Sequence, residues 1–391
     1  MRIAILWPQS QDAWIAGSIY SENLLRSLML LSDPTVEVFV LEPDGGDFTS
    51  SGGEARWGIQ CLHHKPSPES RRGLFTKVAS RLRRLAGMPG GDRSAVARRS
   101  RVDAVFGALD EPVRNSAPWV AWIPDFQHVH HPEFFSQEEI SVRELTYHRW
   151  AEECSLMLLS SQDCAKDFKA FAPNHGAKAR VVPFASLLNE EYFALTPEPV
   201  LARYGITERF VVVPNQWWRH KNHETALRAA KLLDDSGLEM DWVFTGAFKD
   251  YRSPAHSARM LELIEELGLS ERVRLLGSIP RAEQIQILRA AELIVHPSLF
   301  EGWSTVVEDA RTLGQRMVLS DIAVHREQNP PGALFFEPCS PGDLAEKVVA
   351  TLGGATQRRN EDESRRESME RARGYARRFV DVCAEAGGVR S

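Results

Sequence analysis

Residues 293–320 read LIVHPSLFEGWSTVVEDARTLGQRMVLS, and this stretch indicates the fold class. The apolar run Leu293–His296 has the length and branched composition of a buried strand. A short turn follows, and apolar residues then recur with a helical period over Ser304–Leu313. A glycine turn leads to a second apolar run at Met317–Ser320. Strand, helix and strand in this order predict a βαβ unit and therefore a parallel sheet.

The same alternation extends in both directions through the second half of the chain. The predicted strands are Phe210–Val213, Asp241–Thr245, Val273–Leu276, Leu293–His296, Met317–Ser320 and Ala333–Phe336. The predicted helices are His223–Asp234, Ala258–Leu267, Arg281–Arg289, Ser304–Leu313 and Pro341–Leu352. Because each helix follows its strand after a short polar or glycine turn, residues 200–355 are predicted to form one doubly wound, Rossmann-like domain.

A second alternating series occupies the first half and predicts another Rossmann-like domain over residues 1–190. Its predicted strands are Arg2–Trp7, Val36–Leu41, Val102–Ala108, Val120–Ile123, Ser155–Ser160 and Arg180–Pro183. Its predicted helices are Tyr20–Leu31, Glu138–Glu153 and Cys164–Phe171. The polar, proline-containing stretch 187–199 marks the boundary between the two series. Two such α/β domains are expected to face each other across a cleft at the carboxyl ends of their strands, which suits a reaction of two substrates.

Composition narrows the class of protein further. A chain of 391 residues exceeds the ~250–300 residues at which one core stops growing. The formal net charge of −6 argues against general nucleic-acid binding. Five cysteines without CxxC spacing indicate neither a disulfide framework nor a zinc site and fit a reducing cytoplasm. No apolar run approaches the ~20 residues of a membrane span, and Met1–Pro8 has the pattern of a strand rather than a signal peptide, so a soluble cytoplasmic protein is expected.

The turn and helix start within 301–309 carry residue types suited to a sugar nucleotide. A helix N-terminus offers unpaired N–H groups and a partial positive charge to an anion. Carboxylates accept two hydroxyl hydrogen bonds at once, which suits sugar and ribose diols. The candidates are Glu301, Gly302, Trp303, Ser304, Thr305, Glu308 and Asp309. On spacing alone, an ordinary capped helix with early acidic residues is the more common explanation.

This segment resembles the Glu-x7-Glu signature of family 4 glycosyltransferases, which have the GT-B fold. Glu301 matches the first acid, Gly302 the glycine and Ala310 the closing alanine. The second acid falls on Asp309, with Glu308 immediately before it, so the resemblance leaves either carboxylate as the ribose ligand. Residues 304–306 depart from the usual Gly-Leu-Pro.

Three further segments resemble the family in order and spacing. Residues 214–223 are similar to the basic loop whose cations contact the donor diphosphate, which implies that role for Arg219 and Lys221. Two cations near a leaving diphosphate would stabilise its charge without a metal. Gly246 matches the next glycine turn, and the loop with Ser278 and Ile279 matches the one whose backbone meets the base.

The resemblance is weaker in the first half. Gly17 is placed like the family's glycine loop, which closes over the donor phosphates, although one glycine before a helix is more often a simple turn. Asp125 follows a strand where family members often carry a His-Asp pair beside the reacting sugar. Asp125 or His128 could orient or deprotonate the acceptor hydroxyl. A metal site formed by His128, His130 and His131 is the less favoured alternative, because the family does not generally need a metal.

Residues 70–101 are rich in arginine and contain apolar residues at helical spacing. Such a stretch could be an amphipathic helix on an anionic membrane surface or beside a lipid-linked acceptor. A solvated helix or a loop is the somewhat stronger interpretation, since 87–91 is rich in glycine.

Taken with the motifs, the resemblance implies a retaining, metal-independent hexosyltransferase with a UDP- or GDP-sugar donor. The acceptor would be a hydroxyl of a glycan, a lipid-linked molecule or a small molecule. The charged helix predicted near 361–386 would cross back onto the first domain, as in similar proteins. Two alternatives remain open: another GT-B enzyme such as a sugar-nucleotide epimerase, and a non-catalytic sugar-nucleotide-binding protein. Peripheral contact with the inner membrane surface is possible through 70–101.

Overall fold

The computed structural model of the chain describes residues 1–7, 15–42, 48, 53, 58–62, 101–107, 117–248, 250 and 252–388. The chain divides into two compact units. The first comprises Met1–Pro124, Val142–Phe184 and Ala372–Ser391, and the second comprises Asp125–Ser141 and Ala185–Arg371. Among the described residues, no helix combines the length and apolar character needed to cross a membrane.

The first unit is built on a seven-stranded parallel sheet in the order β3-β2-β1-β4-β5-β6-β7. The strands are β1 (Arg2–Leu6), β2 (Glu37–Leu41), β3 (Gln60–Leu62), β4 (Ala104–Phe106), β5 (Trp119–Ile123), β6 (Leu156–Leu159) and β7 (Ala179–Val181). The helices described up to β7 are α1 (Ile15–Met29), α2 (Gln127–His130), α3 (Gln137–Glu153) and α4 (Gln162–Phe171). The strand order reverses at β1, which pairs with β2 on one side and β4 on the other, as in a doubly wound sheet.

The second unit is built on a six-stranded parallel sheet in the order β10-β9-β8-β11-β12-β13. The strands are β8 (Phe210–Pro214), β9 (Asp241–Thr245), β10 (Val273–Gly277), β11 (Leu293–His296), β12 (Met317–Ser320) and β13 (Leu334–Phe336). The helices from residue 190 onward are α5 (Glu190–Ala194), α6 (Glu198–Arg203), α7 (His223–Asp235), α8 (Pro254–Glu266), α9 (Arg281–Ala290), α10 (Thr305–Thr312), α11 (Ala323–Gln328), α12 (Pro341–Ala350) and α13 (Glu361–Gly387). The predicted α/β class with two Rossmann-like sheets is confirmed.

Strand β8 shows why a central strand of this sheet carries apolar residues on both of its faces. Val211 and Val213 pack into one core cluster, which includes residues of α7 and α12. Phe210 and Val212 pack into a second cluster, which includes residues of α9 and α10. Because side chains alternate between the faces of a strand, a sheet covered by helices on both faces needs apolar residues throughout.

Several elements differ from the sequence prediction. Strand β3 was not predicted, because its sequence QCL shows no apolar run. Helix α1 begins at Ile15 rather than Tyr20, and the predicted boundary region contains α5 and the first two residues of α6. Asp125–Ser141, predicted within the first domain, clusters with the second unit, and α13 divides between the units at Arg371.

Candidate functional site

The centre of the candidate site is a three-residue cluster at the carboxyl ends of β8 and β11, which are adjacent in the second sheet. Lys221 ends the short 3-10 turn after β8, and Glu301 lies in the turn between β11 and α10. The Lys221 Nζ atom lies 2.5 Å from Glu301 Oε1. The same carboxylate oxygen lies 3.2 Å from Nε2 of His296, the last residue of β11. The sheet therefore brings together two residues that are 80 positions apart in the chain.

The charges of this cluster are largely withdrawn from water, because the Lys221 and Glu301 side chains are only 16% and 11% exposed. Burial of the Glu301 carboxyl opposes its ionisation. The Lys221 charge and the His296 hydrogen bond outweigh this effect and hold the pKa of Glu301 well below its usual value. Burial lowers the pKa of His296 despite the nearby carboxylate. At neutral pH the cluster contains a carboxylate, an ammonium and a neutral imidazole.

The start of α10 lies beside this cluster. Ser304 is its N-cap residue, and its Oγ accepts a hydrogen bond from the Val307 amide at 3.3 Å. Ser304 Oγ also lies 2.9 Å from His296 Nε2. In the helix cap the Ser304 oxygen is therefore a hydrogen-bond acceptor. In the part of the chain that the structure describes, the amides of Thr305 and Val306 have no hydrogen-bond partner and remain the open donors of the first turn.

Glu308 and Asp309 are both fully buried, but they have different partners. Glu308 accepts from Gln328 Nε2 at 3.1 Å and from Arg371 Nη2 at 2.7 Å. Gln328 also accepts from the Ser304 amide at 3.2 Å. Glu308 therefore links α10 to α11 and α13.

Asp309 has partners in a different part of the second unit. It accepts from Ser186 Oγ at 2.6 Å and from Arg281 Nη2 at 2.5 Å. Arg281 is the first residue of α9 and follows the loop that contains Ser278 and Ile279. Of the two acids, Asp309 is the one that bonds to a residue next to the predicted base-binding loop.

The glycine turn after β9 requires its glycine. Gly246 has a φ of 101°, and a Cβ there would lie 2.3 Å from the main-chain oxygen of Asn215. The Gly246 amide donates to the Gly277 carbonyl at 2.8 Å. The loops that follow β8, β9 and β10 therefore approach each other at the sheet edge. Beyond Gly277, Ser278 is exposed and Ile279 is half-buried.

Arg219 and Lys221, predicted together as diphosphate ligands, have different surroundings. Lys221 reaches Glu301, whereas the exposed Arg219 guanidinium lies 5.2 Å from the Phe134 ring centroid. The Arg219 main-chain amide donates to Asp250 Oδ2 at 3.1 Å.

The predicted site residues from the first half of the sequence do not all belong to the same unit. Asp125 is half-buried, and its Oδ1 accepts from the Gln127 amide at 3.0 Å. His128 is 1% exposed, with its ring near Phe126. Both belong to the second unit, whereas Gly17 is buried in the first turn of α1 in the first unit.

Two histidines of the same segment lie near the site. The rings of His130 and His131 lie 5.3 Å and 5.9 Å from Phe300, the residue before Glu301. Within the described ranges, no group of three or more His, Cys, Asp or Glu side chains is arranged to hold a metal ion.

Sequence reasoning missed several residues of this region. His296 ends a predicted strand, which was a usable signal. The partners of the two buried acids carry no local signal, because each comes from a distant element. These partners are Ser186, Arg281, Gln328 and Arg371.

Comparison with known proteins gives a family match for part of the chain. Residues 203–369 match the family described as glycosyl transferases group 1. The matched stretch is less than half of the chain. It contains the Lys221–Glu301 pair, both buried acids and the open start of α10.

A curated protein is similar to part of the chain. The chain is 36% identical over 96 residues to D-inositol 3-phosphate glycosyltransferase of Nocardia farcinica. That match covers 24% of this chain and 21% of the relative, so it spans well under two thirds of that protein.

Solved structures show the fold over nearly the whole chain. HepE of Anabaena, solved with UDP and glucose, aligns with a TM-score of 0.66 at 16% identity and covers 97% of this chain and 98% of its own. Sucrose-phosphate synthase of Thermosynechococcus elongatus aligns at 0.64 with 15% identity, covering 99% and 98%. WaaG, a glycosyltransferase of lipopolysaccharide biosynthesis, aligns at 0.56 with 15% identity and covers 99% of both chains. The chain therefore has the GT-B fold of two Rossmann-like domains.

Proposed function

We propose that this chain is a retaining glycosyltransferase that moves a hexose-type sugar from a UDP- or GDP-sugar to an acceptor hydroxyl. The observation that carries the proposal is the Lys221–Glu301–His296 cluster beside the open amides of α10, inside a group 1 domain. HepE is solved with UDP and glucose, which favours a uridine donor as the first to test. The acceptor class is a glycan, a lipid-linked molecule or a small molecule.

The donor diphosphate would bind to the ammonium of Lys221 and the amides of Thr305 and Val306. The ammonium and the amides both donate hydrogen bonds that stabilise phosphate oxygens, and the N-terminus of α10 adds a partial positive charge. The exposed Arg219 would approach from the basic loop. These protein groups would neutralise the leaving diphosphate without a metal.

The donor sugar would hydrogen-bond to Glu301. Because the pKa of Glu301 is held low, its carboxylate is ionised at neutral pH and can accept from two hydroxyls. Asp309 would hold the ribose, since it bonds to Arg281 beside the predicted base-binding loop. The backbone of Ser278 and Ile279 would meet the base, and Gly246 would allow the loops to converge.

In the proposed reaction, the acceptor oxygen forms its bond to the anomeric carbon on the face from which the diphosphate leaves. The bond from that carbon to the diphosphate oxygen breaks, and the departing oxygen takes the acceptor proton. Such a step retains the configuration and needs no enzyme nucleophile, unlike the paired carboxylates of glycoside hydrolases. Asp125 would orient the acceptor hydroxyl, since it is more accessible than the buried His128. The assignment of Gly17 to the donor phosphates stays a prediction.

A membrane role for 70–101 stays a prediction. Apart from Arg101, these residues lie outside the described part of the chain. The assignment of an acceptor-binding and a donor-binding domain is likewise part of the proposal.

The first experiment is a thermal-shift screen with UDP-, GDP- and ADP-sugars on the wild type and on Lys221→Ala. A ligand at about 100 times its Kd stabilises the native state by roughly 2.7 kcal/mol, so one nucleotide class should raise the Tm of the wild type. Lys221→Ala should abolish this shift. The matched control is Lys231→Ala, which removes a surface lysine of α7 paired with Asp235. No shift with any nucleotide would contradict the donor site.

The second experiment separates catalysis from binding. Glu301→Gln should keep most of the nucleotide-induced Tm shift and lose nucleoside diphosphate release. Conversion of the sugar nucleotide without an acceptor would indicate an epimerase. Binding without any turnover by the wild type over a broad acceptor panel would indicate a non-catalytic binding protein.

A further inference from the structure

The segment Asp125–Ser141 follows β5 of the first sheet but packs within the second unit. It includes α2, a 3-10 turn at Pro132–Phe134 and the start of α3. Its sequence neighbours on both sides, Pro124 and Val142, belong to the first unit. Specific contacts must therefore hold the segment to the second unit.

A buried arginine provides two of these contacts. Arg252 lies just before α8, and its side chain is only 3% exposed. Its guanidinium carbon lies 4.7 Å from the Phe135 ring centroid and 4.5 Å from that of Trp218. Its Nη1 donates to Gln127 Oε1 at 3.1 Å. One planar cation thus contacts two residues of the segment and one residue of the basic loop.

Asp250 lies in the same turn as Arg252 and bonds to the basic loop. Asp250 accepts from the Arg252 amide at 3.0 Å and lies 3.6 Å from Arg252 Nε. Its other oxygen accepts from the Arg219 amide at 3.1 Å. A buried guanidinium is costly to desolvate unless it is paired and hydrogen-bonded, so these partners define one position for it. The turn after β9 therefore fixes the basic loop and the segment relative to each other.

The anchored segment places its own side chains beside the candidate donor site. The Phe134 ring lies below the Arg219 guanidinium, and the rings of His130 and His131 lie beside Phe300. Phe300 directly precedes Glu301. A shift of the segment would move these groups, together with Asp125, relative to the bound donor.

We propose that Arg252 is a positioning residue that anchors Asp125–Ser141 to the donor-binding loops, so that the acceptor-side groups are fixed in place with the donor. Arg252 acts through Gln127, Phe135 and Trp218 rather than on the substrates. The consequence for turnover rests on the proposed glycosyl transfer. The anchoring itself does not.

The test compares Arg252→Gln with Arg259→Gln by hydrogen–deuterium exchange of the full chain without ligand. Arg259 is a matched control, because it is a half-exposed arginine of α8 in a surface ion pair with Glu266. Exchange in peptides covering 127–135 should rise at least about tenfold in Arg252→Gln alone, since removing the anchor opens the segment locally. Peptides from β8 and β9 should exchange as in the wild type.

Two further variants distinguish loss of the anchor from a general folding defect. Gln127→Leu removes a partner of the guanidinium from within the segment and should raise exchange over 127–135 in the same direction. Arg252→Lys keeps the charge without the planar guanidinium and should not restore the wild-type rate. Unchanged exchange over 127–135 in Arg252→Gln, or an equal rise across the whole second unit, would overturn the proposal.

Turnover gives an independent readout. With UDP-glucose as the probe, Arg252→Gln should keep the UDP Kd within about twofold and lower kcat at least about tenfold, because misplaced reacting groups lose orientation. If the wild-type protein binds no UDP, that result counts against the uridine donor. The hydrogen–deuterium exchange of 127–135 then tests the anchoring by itself. A wild-type kcat in a variant whose segment exchanges faster would refute the positioning role.

Discussion

Replacing Lys221 by methionine removes an ammonium from a largely buried ion pair while keeping most of the length of the side chain. In the wild type, Lys221 Nζ lies 2.5 Å from Glu301 Oε1, and neither side chain is more than 16% exposed. The substitution leaves the Glu301 carboxylate with the His296 imidazole as its remaining polar contact in the cluster.

The expected loss of stability follows from that burial. At an effective dielectric constant of 20, two unit charges at about 4 Å interact by about 4 kcal/mol. Breaking a buried pair by removing one partner costs about 3–5 kcal/mol, because the other charge stays buried and uncompensated. The lower end applies here, since both groups keep some contact with water. We expect Lys221→Met to lower the free energy of unfolding by about 3 kcal/mol at pH 7.

The stability difference between Lys221→Met and the wild type should depend on pH, and the pKa of Glu301 gives the direction of this dependence. The folded pKa of Glu301 lies well below its usual value. This carboxylate therefore stabilises the fold above the unfolded pKa of about 4.3, and the stabilisation is lost as the pH falls through the lower folded pKa. In Lys221→Met the charge that lowered this pKa is gone, so the folded pKa rises. The deficit of the variant should consequently shrink as the pH falls from 7 toward 4.

The assay is equilibrium urea unfolding followed by tryptophan fluorescence, for a double-mutant cycle of Lys221→Met and Glu301→Gln. The double variant has no charge in the pair and should be more stable than the sum of the two single losses predicts, by at least about 1.5 kcal/mol. Lys231→Met is the control, and its surface pair should contribute less than about 1 kcal/mol. Additive losses within about 0.5 kcal/mol would refute the energetic coupling on which this reasoning depends.

Three further predictions concern other parts of the site. Gly246→Ala should lower the free energy of unfolding by about 3 kcal/mol or more, because of its positive φ and a main-chain clash, whereas the exposed Gly353→Ala should not destabilise the fold in the same urea assay. Ser304→Ala should cost about 1–2 kcal/mol through the lost helix cap, and a wild-type unfolding midpoint would contradict the capping role. Asp309→Asn should weaken nucleotide binding in calorimetry about tenfold, while Glu308→Gln should leave the Kd within about twofold; the reverse pattern would assign the ribose to Glu308.

The fold was predictable because it depends on local periodicity. The strands around Leu293–His296 are largely apolar, and the helix after this strand begins at an N-cap serine. These signals come from each element alone and need no knowledge of its neighbours. Strand β3 and helix α11 were missed because their sequences, QCL and AVHREQ, show no clear apolar pattern.

The site was predictable only where one turn contains it. Glu301 and the start of α10 lie within a few residues, so a motif identifies them. The contact of Lys221 with Glu301 depends on the adjacency of β8 and β11, which the strand order determines. The anchoring of Asp125–Ser141 by Arg252 joins residues 125 positions apart and has no local signal.

The ion pair of the candidate site joins the two charges to which the proposed donor would bind. Lys221 and Glu301 neutralise each other in the structure, so neither buried charge lacks a partner before the donor arrives. A sugar nucleotide brings a complementary pair of groups, since its diphosphate is an anion and its sugar hydroxyls are hydrogen-bond donors. Lys221 would turn to the diphosphate, and Glu301 would accept from the hydroxyls. Because a free sugar or a free phosphate supplies only one of the two groups, either alone would leave one charge of the pair uncompensated. The pair would therefore favour the intact donor over its separate parts, which is the discrimination that a transferase requires.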